Sequence, residues 1–100
     1  MIRTALIAAT AAIFAAPALA GTAFTANLAE PVEERVTFVA NSAVWTCEGE
    51  TCVAELSRRT PSVRSCKQVA KEIGKLANFQ SERGELDGAD LERCNQAAKD

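Results

Sequence analysis

The chain contains no histidine and only one tryptophan among its 100 residues. Without an imidazole to act as general base, Ser-His-Asp and Cys-His nucleophilic catalysis are excluded. Any zinc site would fall to the four cysteines, Cys47, Cys52, Cys66 and Cys94, whose intervening stretches are 4, 13 and 27 residues long. A zinc site draws on pairs spaced two to four apart, usually with histidine. A redox pair would read C-x-x-C, and no such pair occurs. No Gly-rich phosphate loop is present, and no motif calls for a cofactor. Beyond residue 20 no apolar run approaches the roughly 20 residues of a membrane span. Positive charge is also short, with 11 basic against 13 acidic side chains and a net charge of −2. That balance argues against nucleic acid as a partner, because phosphate contacts need a net or strongly local positive surface.

Among the features present, the first is an N-terminal leader. Met1-Ile2-Arg3 is a short positive start and Thr4 to Ala16 an apolar run of signal-peptide length. Pro17 breaks that run, and Ala18-Leu19-Ala20 is an A-x-A cleavage site. Residues 1–20 are therefore expected to be a cleaved signal peptide, and residues 21–100 a single small domain. Loss of Arg3 takes the net charge from −2 to −3. A domain of this size has a marginal core, so covalent staples would help. Four cysteines in a small exported chain read as two disulfides formed in an oxidising compartment, periplasmic or secreted.

The central stretch is Ala43 to Leu56. Two alternating apolar arms flank Glu48-Gly49-Glu50-Thr51, with a cysteine at each mouth of the turn. This predicts a β-hairpin in which Trp45 and Cys47 share one face while Val44 and Thr46 share the other. Phe24 to Leu28 and Arg35 to Ala40 alternate likewise and are expected to be strands, with a turn at Asn41-Ser42. Thr60-Pro61 reads as a helix start, Thr60 as N-cap. Val63, Cys66, Val69, Ala70 and Ile73 then form an apolar stripe, and Gly74 a C-terminal cap. Leu76 to Phe79 reads as either a last helical turn or a short extended segment, the extended reading being favoured, and Gln80 to Glu85 as a polar loop. Asp87 caps a second helix whose inner face carries Leu91, Cys94 and Ala98. Of the three connectivities, 47–52 with 66–94 is favoured, since the first pair sits across a hairpin and the second on two inner helix faces. The expected fold is α+β: a small antiparallel sheet of three or four strands, followed by two helices and held by two disulfides.

Charge falls in blocks. Gly21 to Ser57 holds one basic and six acidic side chains, and Arg58 to Lys75 six basic and one acidic. Arg64, Lys67, Lys71 and Lys75 lie opposite the apolar stripe of the first helix and form a candidate docking face for an acidic partner or an anionic envelope surface. Such a row also serves as an ordinary solvated helix face. Glu48 and Glu50 at the hairpin tip are an acid pair without the cleft that glycoside hydrolysis requires. Trp45 is expected in the core rather than stacked on a ligand.

These segments resemble a family of small uncharacterised exported proteins of alphaproteobacteria. The shared pattern is F-T-A-x-L-A-x-P (Phe24 to Pro31), V-W-x-C-E-G-x-x-C (Val44 to Cys52), V-R-x-C (Val63 to Cys66) and L-x-R-C (Leu91 to Cys94). The resemblance implies export and a shared fold, and carries no activity. The resulting expectation is a non-enzymatic binding or structural module of the cell envelope. The alternative is a small inhibitor or accessory subunit of another exported protein, acting through the tip at residues 48–51. Nothing in the sequence names the partner or sets the oligomeric state.

Overall fold

The computed structural model describes residues 21–99. The expected signal peptide, residues 1–20, lies outside the described residues. Six strands form one antiparallel sheet: β1 (Thr22–Leu28), β2 (Val36–Ala40), β3 (Ala43–Glu48), β4 (Thr51–Leu56), β5 (Leu76–Ser81) and β6 (Gly84–Glu85). Their order is β2-β3-β4-β1-β5-β6, with β1 in the middle. Helices α1 (Val63–Ile73) and α2 (Gly88–Asn95) complete the α+β fold.

Period-two alternation decides which side chains are buried. Phe24, Ala26 and Leu28 of β1, Trp45 and Cys47 of β3, and Cys52, Ala54 and Leu56 of β4 are all buried. They form one core with Cys66, Val69 and Ala70 of α1 and Cys94 of α2. An aromatic row runs through it. Phe24 meets Phe79 at 5.7 Å between ring centroids, Phe79 meets Trp45 at 6.1 Å, and Trp45 stacks on Phe38 at 6.2 Å. The indole Nε1 donates to the Ala40 carbonyl at 3.1 Å. Trp45 is thus a core residue with its one polar atom satisfied.

The sheet is larger than the three or four strands expected. Of the two readings of Leu76 to Phe79 the extended one holds, but the strand runs on to Ser81, and the expected loop at Gln80 to Glu85 is a tight hairpin into β6. Alternation fails here because the β1–β5 register shifts between Asn27 and Leu28, pairing Asn27 with Asn78 but Leu28 with Leu76. Ala77 is the extra residue of a bulge. It lets Leu76 and Phe79, three apart, both point into the core. The Asn95 side chain then holds Leu76 at both ends: Oδ1 accepts from its amide at 2.9 Å and Nδ2 donates to its carbonyl at 2.8 Å.

The helix boundaries follow capping chemistry. Ser62, not Thr60, is the N-cap of α1, and with Ser65 it forms a reciprocal capping box. Pro61 precedes the cap because an extended N-cap at Ser62 leaves proline outside the helix, where its fixed φ is equally at home. Gly74 closes α1 at φ 118°, its amide bonded to the Ala70 carbonyl. Asp87 caps α2, its carboxylate accepting from the Asp90 amide at 2.9 Å. Asn41 and Ser42 adopt φ of 57° and 59°, the paired left-handed conformation of a two-residue hairpin turn. Asn41 Nδ2 also donates to the Ser65 carbonyl at 3.0 Å, tying that turn to α1.

Candidate functional site

The four cysteines are closed in pairs. Cys47–Cys52 bridges the hairpin neck with Cα atoms 4.0 Å apart. Cys66–Cys94 joins α1 to α2 with Cα atoms 5.6 Å apart. All four residues are fully buried, so the sulfurs are unavailable as ligands or nucleophiles while the bridges stand. Two disulfides in so small a domain fit an oxidising environment. Among the described residues no cluster of three His, Cys, Asp or Glu could hold a metal ion, and no helix is long and apolar enough to cross a membrane.

The hairpin tip is exposed but engaged. Gly49, at φ 60°, supplies the left-handed turn conformation that disfavours any side chain with a Cβ. Its carbonyl accepts from the Val32 amide at 2.9 Å, and the Glu50 carbonyl accepts from Leu28 at 2.7 Å. Glu48 pairs with Arg35 at 3.4 Å, both exposed. The segment from Ala29 to Arg35 therefore lies along the tip and holds it against the body. Glu48 lines an open groove of about 490 Å³ with Arg35, Thr46, Thr51 and Val53, and Glu50 is exposed but is not part of that lining.

The cationic row is brought out by α1. Arg64, Lys67 and Lys71 are exposed on the helix face turned away from the core. Lys75 is exposed too, but it lies one residue beyond Gly74 and outside the helix, where its carbonyl accepts from the Ala29 amide at 2.9 Å. The row is thus three helical cations plus one held by the sheet. Among the described residues, ion pairs within 4.0 Å are limited to Arg35–Glu48 and Arg93–Asp90, and none involves this row. Beyond Lys75 lies an open groove of about 490 Å³ lined by Ala29, Glu30, Pro31, Val32, Ile73, Gly74, Lys75 and Lys99. Lys99 reaches it because its amide bonds the Ala70 carbonyl at 2.9 Å. Lys99 was not visible as part of the site, since nothing local in the sequence brings the chain end back to α1.

The sheet has a second, open face. Val39, Val44 and Val53 lie on it at 64%, 63% and 48% exposure. They stand among Thr37 and Thr46, since Thr37 pairs with Thr46, Val39 with Val44, and Thr46 with Val53. Sequence alternation put Val44 opposite Trp45, yet the absence of any cover on that side follows only from both helices packing on the other.

No curated protein and no solved structure matches the chain. Residues 6–96 match the model of a family described as "Family of unknown function (DUF8200)", and the chain belongs to that family.

Proposed function

We propose that this is a non-enzymatic binding module of the cell envelope, exported by a cleaved signal at residues 1–20 and working in the periplasm or outside the cell. Its docking surface is the cationic face formed by Arg64, Lys67, Lys71 and Lys75. The observation that carries this reading is that all four are exposed without an ion-pair partner among the described residues, and that Arg64, Lys67 and Lys71 stand on a helix fixed by a capping box and a disulfide. Cations presented on a rigid helix lose little entropy on meeting an anionic surface. A sequence without histidine and four cysteines sealed in the core support a surface role over catalysis.

Co-sedimentation with phosphatidylglycerol vesicles and with purified cell-wall sacculi tests it. Each lysine near an anionic surface contributes on the order of 1 kcal/mol. The triple variant Lys67→Glu, Lys71→Glu, Lys75→Glu should therefore weaken binding by about 100-fold or more. Retained binding by that variant, or no binding by the parent to either material, rejects the proposal. The alternative, an inhibitor or accessory subunit acting through residues 48–51, has exposed tip side chains in its favour. The tip's bonds to Leu28 and Val32 would present it as part of a broad surface, not as a projecting finger.

A further inference from the structure

The two edges of the sheet are unequally protected. β6 is two residues, Gly84 and Glu85, both exposed, and a short charged edge resists further pairing. β2 is five residues, Val36-Thr37-Phe38-Val39-Ala40, without charge, proline or bulge, and pairs with β3 at every position. A flat, apolar edge of that kind invites another strand. We propose that β2 is the interface of a two-fold dimer, in which the β2 strands of two copies pair antiparallel and join the sheets into one of twelve strands.

The hydrogen-bond phase defines what the edge offers. The Leu28 amide bonds the Glu50 carbonyl, so Glu50 and Cys52 bond toward β1 and the Cys47–Cys52 pair is of the close, non-bonded kind. Carried across the register, Val36, Phe38 and Ala40 bond to β3. The two-residue turn at Asn41-Ser42 demands the same phase. The amides and carbonyls of Thr37 and Val39 then face the open edge, and among the described residues no side chain bonds to them.

This arrangement is self-complementary. With a two-fold axis at Phe38, Thr37 of each copy faces Val39 of the other and both pairs exchange their two bonds, four in all. The two half-buried Phe38 rings meet at a close pair on the inner face, each already stacked on its own Trp45. On the outer face Val39, the most exposed large apolar side chain, is covered in part by Thr37 of the other copy. Arg35 lies opposite Asn41, so no like charges meet between positions 35 and 41. A second copy is favoured over an open chain of copies because β2 against β6 would need the guarded edge. The two-fold product leaves only β6 edges exposed and closes the assembly. Its axis is perpendicular to the sheet, so both α1 helices fall on the same side. The dimer does not depend on the cationic face being the docking surface.

Sedimentation equilibrium over a concentration series, with both disulfides formed, tests the inference. The parent should fit a monomer–dimer equilibrium. Val39→Pro removes an outward amide that the monomer does not use, and Val39→Lys places a charge on the edge. Each should weaken association about tenfold or more, with the near-ultraviolet circular dichroism of Trp45 unchanged. Amide exchange gives an independent reading. The Thr37 and Val39 amides should slow as concentration rises, whereas that of Phe38 is protected throughout. A parent that stays monomeric at every concentration overturns the proposal, as does a dimer equally strong in both variants or concentration-independent exchange at Thr37 and Val39.

Discussion

Replacing Cys66 and Cys94 together by alanine should destabilise the protein more than replacing Cys47 and Cys52, although both bridges are equally buried. The bridged residues are separated by 28 positions in the first case and 5 in the second. Loop-closure entropy then assigns about 3.5 kcal/mol to the long loop and about 2 kcal/mol to the short one. Each double variant also removes two fully enclosed sulfurs, so the cavity contributions are similar, and a difference of about 1.4 kcal/mol survives from loop length. At about 4–8 °C per kcal/mol for a domain of this size, Tm should fall by roughly 15–30 °C for the helix bridge and 10–15 °C for the hairpin bridge. A domain of this length holds about 4–12 kcal/mol in all, so the helix bridge accounts for about a third of that total or more. Urea unfolding followed by Trp45 fluorescence, without reductant, measures both. Equal losses, or a larger loss for Cys47–Cys52 at unchanged m, would refute the loop-length reasoning. The hairpin bridge would then act on the native state by fixing β3–β4 register.

Three further outcomes follow from single contacts. Asn95→Ala should cost about 1–3 kcal/mol, because the Leu76 amide and carbonyl both lose their partner; urea midpoints and faster exchange at the Leu76 amide report it. Ser62→Ala should cost about 1 kcal/mol by loss of the α1 cap, whereas Thr60→Ala should fall within about 0.5 kcal/mol of the parent; equal effects in thermal melts would contradict the cap assignment. Trp45 should emit in the blue and resist acrylamide quenching, and a red, readily quenched emission would take it out of the core.

Much of this architecture was legible because local chemistry and tertiary packing agree. Alternation placed β1, β2 and the hairpin strands on their correct faces, with Trp45 and Cys47 inward and Val44 outward. The α1 stripe put Cys66 where Cys94 could reach it. The failures have separate physical causes. Thr60-Pro61 and Ser62 both satisfy helix-start rules, and the side chain of Ser65 decides between them by returning a bond to Ser62. β5 hides its length behind the bulge at Ala77, and β6 has only Gly84 and Glu85, neither a strand former. In the candidate site, helical spacing revealed Arg64, Lys67 and Lys71. Lys75 keeps its exposure through a backbone bond to Ala29, and Lys99 joins by the fold-back of the chain end. Strand order carried no local signal at all, so the exposure of β2 as an edge could be known only from the assembled sheet.

The central place of β1 bears on when the protein can fold. Thr22 pairs with Leu56, and Phe24 with both Ala54 and Ser81. The first strand therefore waits for partners far along the chain, β4 and then β5, and closing such long loops is slow. Strands β1 to β4 can pair once residue 56 has been made, but Phe79, which meets both Phe24 and Trp45, arrives only with β5, and Cys94 only with α2, so the core closes only after residue 94.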